Sequence, residues 1–278
     1  MSGAAPGSVA KKMSRDERPI GVFDSGLGGL TVVRALLDLV PGERILYFGD
    51  TGRFPYGPKP ADEVLKYSLE ITDVLLARDV KMIVVACNSA AAAALDHLQQ
   101  HVAVPVTGVI EPGVRAARRA TRTGRVGVIG TVGTIASGAY QRASAALDPS
   151  LAVTCAACPG FVEFVESGDV DSDQVHVLAE RLLAPVIAAG VDTLVLGCTH
   201  YPLLARTIAD VMGPHVVLVS SAEETAFDVR LRLAGERAAP LPCGRVQFVT
   251  SGDVDTFRRL GTRFCGPEVD AVEAWSWS

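Results

Sequence analysis

Short apolar runs alternate with stretches of helical periodicity along most of the chain. An apolar run bounded by glycine, proline or polar residues is typical of a buried strand. Such runs predict strands at residues 20–23, 45–48, 82–86, 126–129, 152–155, 193–196, 216–219 and 246–250. Between them, apolar residues recur at helical spacing, for example at Leu30, Val33 and Leu36. Strands that alternate with helices predict a parallel, doubly wound α/β architecture.

The hydrophobic pattern restarts near the middle of the chain. Residues 126–134 can be aligned with residues 20–28, and in this register Ser25 faces Thr131. Each half also contains a later strand that ends in a cysteine, at Cys87 and at Cys198. The simplest interpretation is two pseudo-symmetric doubly wound domains with mainly parallel sheets. The active site would lie in the cleft between them, with one thiol from each half.

The repeat also predicts where the chain passes between the domains. We expect a discontinuous first domain, residues 19–110 plus 218–270, and a second domain, residues 111–217. Residues 1–18 are small, polar and basic and lack the apolar core of a signal peptide, which indicates a disordered leader. Residues 271–278 carry two tryptophans without periodicity and should form a tail that is loose or that contacts an edge.

Two further segments carry local signals. Residues 50–60 are rich in glycine and proline, and they predict a loop long enough to be functional. A helix is expected from about Asp171 to Ala189, because Asp171 and Gln174 have the spacing of a capping box. Pro185 should kink this helix or lie near its end.

Composition narrows the class of protein. The chain has 278 residues, of which 49% are hydrophobic and 21% charged, as expected for a globular protein. The net charge is −5 with no long basic block, which disfavours a nucleic-acid partner. Six cysteines in a chain of this length do not resemble a secreted disulfide framework. No apolar run approaches the roughly 20 residues of a membrane helix, so we expect a cytoplasmic protein without a membrane partner.

The two strand-ending cysteines are the candidate functional groups. Cys87 is followed by Asn88 and Ser89, and Cys198 by Thr199 and His200, and each precedes a predicted helix. Ligands of open α/β sheets bind at the carboxyl ends of the strands. A helix N-terminus is expected to lower the pKa of a thiol from about 8.5. Either cysteine alone could be an ordinary core residue, but the pair in equivalent places indicates a function.

Two other motifs suggest different chemistry. The glycine-rich loop at residues 24–31 matches a dinucleotide fingerprint only in part, because Thr31 stands at the third glycine position, and the P-loop pattern is absent. A tight strand-to-helix turn explains the glycines, although it does not explain Asp24. Cys155 and Cys158 have zinc or redox spacing, but no second pair accompanies them, which favours two packing cysteines.

Two thiols on opposite sides of a carbon atom can invert its configuration. One thiolate removes a proton from one face, and the other thiol returns a proton to the opposite face. Donors at helix N-termini could stabilise the carbanion without a metal or a cofactor. Asn88, Ser89 and Thr199 are placed to hold the carboxylate of an amino acid. Asp24 near Cys87 and His200 near Cys198 could assist proton transfer.

Four segments, residues 22–30, 55–57, 86–90 and 197–202, closely resemble those of bacterial glutamate racemases. These are cofactor-independent enzymes that make D-glutamate for peptidoglycan. The similarity extends over about residues 19–270, and the two cysteine motifs together are specific to the family. One departure is Ser89, where threonine is more usual, but the hydroxyl is kept.

The resemblance implies a role for each matching residue. Cys87 and Cys198 would be the catalytic acid/bases, the first for D-glutamate and the second for L-glutamate. Asp24 and His200 would also tune the thiols. A glutamate after Cys158 assists catalysis in the family, and Glu166 fits this place better than Glu163. The residues implied to bind substrate are Asp24, Ser25, Tyr56, Gly57, Asn88, Ser89, Thr199 and His200.

The resemblance also implies partners. L- and D-glutamate would be the ligands and a homodimer the assembly, with no metal and no cofactor. Some family members inhibit DNA gyrase. A net charge of −5 would permit this activity, but no motif in this sequence indicates it. Three alternatives remain open at this point: an aspartate or other amino-acid racemase on the same scaffold, a two-lobed binding protein without catalysis, and, more distantly, an NAD-linked oxidoreductase.

Overall fold

A computed structural model describes residues 16–233 and 246–277 of the chain. Parallel strands form two sheets, one of six strands and one of four. The strands are β1 Ile20–Asp24, β2 Ile45–Gly49, β3 Met82–Val85, β4 Val106–Gly108, β5 Arg125–Gly130, β6 Ala152–Ala157, β7 Thr193–Gly197, β8 Val217–Ser220, β9 Val246–Thr250 and β10 Val272–Ala274. The sheet orders are β10-β9-β2-β1-β3-β4 and β6-β5-β7-β8.

Helices follow most of the strands and cover the sheets. They are α1 Leu30–Leu39, α2 Ala61–Ala77, α3 Asn88–His101, α4 Ile110–Ala120, α5 Val132–Ala136, α6 Ala139–Leu147, α7 Phe161–Ser167, α8 Asp173–Ala188, α9 Ala205–Met212, α10 Ala222–Leu233 and α11 Val254–Cys265. Two 3₁₀ turns lie at Thr51–Arg53 and Tyr201–Leu204. No helix in the part of the chain that the structure describes is long and apolar enough to cross a membrane.

The two sheets repeat one strand order, β2-β1-β3-β4 in the first and β6-β5-β7-β8 in the second. Every pairing in both sheets is parallel. The predicted fold class is therefore confirmed, including its pseudo-symmetry. In each sheet the winding reverses beside the first strand, between β1 and β3 and between β5 and β7. Ligands of open α/β sheets bind at such reversal points.

The central strands are apolar because helices cover both of their faces. All five residues of β1 and of β7 are buried, as the continuous apolar runs in the sequence predict. Helix α1 buries Leu30, Val33 and Leu36 against the sheet, which confirms the helical spacing of these residues. The parallel pairing of β1 with β3 places the carboxyl ends of these two strands side by side.

The sheets change the predicted domain boundaries at two places. Strand β8 pairs with β7, so a boundary between residues 217 and 218 would cut this strand, and it belongs after Ser220. Strand β10 pairs with β9 at the edge of the first sheet. Residues 272–274 thus form an edge strand, which agrees with the second of the two predicted alternatives, a tail that contacts an edge. The bounds of the two domains otherwise stay a prediction.

The predicted leader falls largely on residues 1–15, which lie outside the described residues. Its last part is attached to the first sheet. Arg18 forms an ion pair with Asp16 at 2.6 Å, and the Nζ of Lys81 donates to the backbone oxygen of Asp16 at 2.9 Å. The predicted leader therefore extends too far along the chain, because these contacts hold residues 16–18 in place.

The sequence reasoning placed no helix between residues 110 and 147, where the structure has α4, α5 and α6. Pro112 and Gly113 resemble a turn, but proline is tolerated in the first turn of a helix. The predicted cap of α8 is also wrong. Ser172, not Asp171, is the N-cap, and its Oγ accepts a hydrogen bond from the backbone N of Val175. Pro185 lies in the last turn of this helix, as expected.

The cap of α8 gives a test of the fold. Ser172→Ala removes an acceptor at the helix N-terminus and should lower the free energy of unfolding by about 1 kcal/mol. Asp171→Ala, one residue earlier and exposed, should change it by less than about 0.5 kcal/mol. Urea denaturation followed by circular dichroism measures both values. An equal loss in the two variants would contradict this assignment of the cap.

Candidate active site

Loops at the carboxyl ends of both sheets line a single cleft between them. Its volume is about 640 Å³, including the open mouth. The loops follow β1, β2 and β3 of the first sheet and β5, β6 and β7 of the second, so both reversal points open into it. The predicted site residues that line the cleft are Asp24, Ser25, Tyr56, Gly57, Cys87, Asn88, Ser89, Cys198, Thr199 and His200.

Cys87 lies two residues after the end of β3 and is the N-cap residue of α3. Its side chain is buried, and the Sγ donates to the Oγ of Ser25 at 3.5 Å. Burial raises the pKa of the Cys87 thiol to about 12, and the nearby Asp24 carboxylate adds to the rise. The expectation that the helix N-terminus lowers this pKa is therefore wrong, because desolvation outweighs the helix. Cys87 rests as a protonated thiol.

Asp24 ends β1 and lies beneath Cys87. Its Oδ2 accepts hydrogen bonds from the backbone N–H groups of Gly26 at 3.1 Å and Gly29 at 3.0 Å. Burial raises the pKa of Asp24, and the charge of His200 and the two amides oppose this rise. The Oδ1 atom is buried and has no hydrogen-bond partner within the described residues. A buried acceptor without a partner is costly, so it is well suited to a ligand donor.

Cys198 follows β7 in the second sheet. A 3₁₀ turn comes next and α9 begins only at Ala205. The prediction that Cys198 lies at the N-terminus of an α-helix is therefore wrong. Its Sγ lies 3.9 Å from the Nδ1 of His200. The Nε2 of His200 lies 3.2 Å from the Oε1 of Glu166 on α7. The cysteine, imidazole and carboxylate thus form one chain of contacts, whereas Glu163 lines the cleft itself.

His200 is buried and carries a proton over a wide pH range. Burial alone would lower its pKa, but the hydrogen bonds to Cys198 and Glu166 outweigh burial and raise the pKa to about 10. The imidazole also contacts the rings of Phe54 and Phe264, with centroid distances of 6.0 and 5.5 Å. These contacts fix the ring so that a charged imidazole faces Cys198.

The glycine-rich loop contributes a close contact between the halves. A Cβ atom at Gly28 would lie 2.4 Å from both the Nδ1 of His200 and the Oγ1 of Thr199. A side chain at this position would therefore push the Cys198 loop away from the Asp24 loop. The close approach of the two loops therefore requires a glycine at position 28, without any need for a bound dinucleotide.

Donors for a carboxylate lie at the N-terminus of α3. The Oδ1 of Asn88 accepts from the hydroxyl of Tyr140 at 2.7 Å, which leaves its buried Nδ2 without a partner in the described structure. The Oγ of Ser89 lies 3.0 Å from the Oγ1 of Thr131 and 3.3 Å from that of Thr134. Thr131 was not predicted as a site residue, although the internal repeat aligns it with Ser25 and so offered a signal.

Tyr56 lines the cleft with its ring, but its hydroxyl is already engaged. It donates a hydrogen bond to the Oδ2 of the buried Asp50. The backbone oxygen of Gly57 accepts from the N–H of Gly133 at 2.9 Å, across the two halves. The predicted pair thus shapes the rim of the cleft, and the tyrosine hydroxyl is not free for a ligand.

Cys155 and Cys158 are free thiols. Burial raises their pKa values to about 11 and about 12. Within residues 16–233 and 246–277, no group of three or more His, Cys, Asp or Glu side chains is placed to hold a metal ion. Cys158 lines the cleft behind Cys198, whereas Cys155 lies in β6. Their placement fits packing residues better than a zinc or redox pair.

Comparisons with known proteins identify relatives over nearly the whole chain. A family model described as Asp/Glu/Hydantoin racemase matches residues 20–226. A glutamate racemase of Beutenbergia cavernae is 53% identical, and the match covers 92% of each chain. A crystal structure of a Bacillus anthracis glutamate racemase superposes with a TM-score of 0.88 at 41% identity, covering 94% of this chain and 97% of that one. A Francisella tularensis glutamate racemase in complex with D-glutamate has a TM-score of 0.87 at 34% identity, covering 94% and 98%.

The contacts of His200 predict a pH dependence. Because its pKa is raised to about 10, the stability from its contacts with Glu166 and Cys198 is complete below about pH 6.5 and is lost as pH rises through about 10. Proton–nitrogen NMR of the imidazole should show a charged ring up to about pH 9. Glu166→Gln should lower this pKa by at least about one unit, because an ion pair is lost.

Glu163→Gln is the matched control for this titration, since Glu163 lies on the same helix but lines the cleft. It should change the pKa of His200 much less than Glu166→Gln does. A neutral imidazole at pH 7, or equal shifts in both variants, would contradict the described contact chain.

Proposed function

Because the chain belongs to the Asp/Glu/hydantoin racemase family, as its motifs predicted, we propose that it is a glutamate racemase that works with two cysteines. It is an isomerase of the amino-acid racemase class. The observation that carries the mechanism is that Cys87 and Cys198 follow equivalent strands of the two halves and line one cleft. The proposed reaction interconverts L- and D-glutamate by proton transfer, without a cofactor.

The thiols would act as a base and an acid on opposite faces of the α-carbon. For L-glutamate, the Cys198 thiolate removes the α-proton and the Cys87 thiol donates its proton to the other face. Cys198 is then a thiol and Cys87 a thiolate, ready for the reverse reaction or for reset through solvent. The raised pKa of Cys87 supports its role as a proton donor to a carbanion. His200 would hold a charge beside Cys198 throughout the cycle.

The unpartnered polar atoms supply the substrate contacts of the proposal. The Nδ2 of Asn88 is a donor for a substrate carboxylate, and the hydroxyls of Ser89, Thr131 and Thr199 surround the same part of the cleft. The Oδ1 of Asp24 is an acceptor for the substrate ammonium group. Donors held at the carboxylate stabilise the negative charge that develops when the α-proton leaves. This stabilisation would compensate for the low acidity of an amino-acid α-proton.

Glutamate is favoured over aspartate because the relatives described above are glutamate racemases, one of them in complex with D-glutamate. The family resemblance further leads us to propose a cytoplasmic homodimer that supplies D-glutamate for peptidoglycan synthesis. An aspartate racemase on the same scaffold is the alternative. Light scattering of the purified protein measures the assembly, and initial rates with both amino acids measure the preference.

Serine variants test the two-thiol mechanism. Cys87→Ser and Cys198→Ser should each lower kcat for glutamate racemisation by about 100- to 10,000-fold, because a serine hydroxyl is a far weaker acid and base. Circular dichroism of the product mixture measures the rate. Binding of glutamate should be weakened much less, which calorimetry measures.

Cys155→Ser is the control, since Cys155 is a half-buried cysteine that does not line the cleft. It should keep kcat within about twofold of the unmodified chain. Full activity of either cleft variant would contradict the two-thiol mechanism. Binding of glutamate without turnover by the unmodified chain would instead favour a binding protein.

A further inference from the structure

Asp50 is a fully buried carboxylate just after β2, outside the cleft. Its Oδ2 accepts from the Nε of Arg53 at 2.7 Å and from the hydroxyl of Tyr56. Its Oδ1 accepts from the Oγ of Ser251 at 2.6 Å and from the indole Nε1 of Trp277 at 3.0 Å. Four donors from three segments of the chain thus converge on one buried charge, which fixes these segments relative to each other.

Trp277 also holds Arg53 in place. The Arg53 guanidinium lies between two rings, 4.0 Å from the centroid of Tyr67 and 3.8 Å from that of Trp277. Cation–π contacts of this kind are strongest where the cation is shielded from water. The Trp277 ring packs on Phe48 of β2 as well, at 5.5 Å. The segment after β10 is therefore anchored by a hydrogen bond, a cation–π contact and a ring contact.

The other side of this cluster is the rim of the cleft. The chain from residue 54 to residue 58 lines the cleft, and Tyr56 joins it to Asp50. The next residue, Gly57, accepts a hydrogen bond from Gly133 in the second half. A shift of Asp50 would consequently move the rim that contacts both substrate and the opposite half.

We propose that Trp277 and Asp50 are positioning residues of the racemase, which hold the rim at residues 54–58 in its substrate-binding place. Residues 275–277 act as a strap, because Trp277 donates a hydrogen bond to Asp50 and Asp50 in turn accepts one from Tyr56. The role in substrate binding rests on the proposed function, whereas the strapping of the rim does not.

A conservative substitution separates the hydrogen bond from the packing. Trp277→Phe keeps a ring over Arg53 and Phe48 but removes the N–H that donates to Asp50. Trp275→Phe is the matched control, because the Nε1 of Trp275 is buried without a hydrogen-bond partner among the described residues. Trp275 also contacts Phe48, at 6.1 Å, and it does not bond to Asp50. Both variants lose the same atoms from the same segment.

Trp277→Phe should raise KM for glutamate about three- to tenfold, the factor that one ordinary hydrogen bond represents. It should leave kcat within about twofold, and Trp275→Phe should change neither value beyond that. If Trp277 acts through Asp50 and Tyr56, its effect on KM should largely vanish in a Tyr56→Phe background, which a double-mutant cycle measures. Equal KM values for the two tryptophan variants, or additive effects, would overturn the proposal.

Hydrogen–deuterium exchange of the ligand-free protein tests the strap independently of activity. Peptides that cover residues 50–58 should exchange about three- to tenfold faster in Trp277→Phe than in the unmodified chain. Their exchange rate should be unchanged in Trp275→Phe. Unchanged exchange in Trp277→Phe would overturn the strap. If the unmodified chain fails to racemise glutamate, the proposed function fails, and the exchange rates still decide whether the strap exists. Faster exchange with an unchanged KM would overturn the positioning role.

Discussion

At Gly28 the two halves of the cleft lie too close together to leave room for a side chain. Gly28 lies so close to Thr199 and His200 that a Cβ atom there would come within 2.4 Å of both. This approach brings the Asp24 loop of one sheet to the Cys198 loop of the other. Without it, the two thiols, which follow strands of separate sheets, could not act on one carbon atom. Further contacts between the halves, among them those from Tyr140 to Asn88 and from Gly133 to Gly57, lie around the same cleft.

The two thiols occupy equivalent backbone positions, but each has a different ionisable side chain beside it. Cys87 lies beside a carboxylate, and desolvation raises its pKa to about 12. Cys198 lies beside an imidazole whose own pKa is raised to about 10 by Cys198 and Glu166. A protonated thiol on one side and a thiol held beside a charged imidazole on the other would supply the proton donor and the proton acceptor that the proposed inversion needs. At the two cysteines the pseudo-symmetry of the fold is therefore broken by the neighbouring side chains.

Much of the fold could be predicted from the sequence, because buried parallel strands are continuous apolar runs that end in polar residues. The same reasoning found the two cysteines, since both directly follow such runs. It failed at α4, where Pro112 and Gly113 resemble a turn, and at the pKa of Cys87, where burial outweighs the helix N-terminus. The Asp50 cluster could not be predicted either. Its donors Tyr56, Ser251 and Trp277 lie far apart in the chain, and only the order of the strands brings them together.

The central claim is that two thiols exchange the α-proton of glutamate with solvent and invert its configuration. The most direct measurement is incubation of the chelator-treated protein with L-glutamate in deuterated water, without added cofactor. The account predicts loss of optical activity together with deuterium at the α-carbon of the D-glutamate formed, and much slower exchange with aspartate. No exchange of the α-proton of glutamate would contradict the account, and faster exchange with aspartate would contradict its substrate.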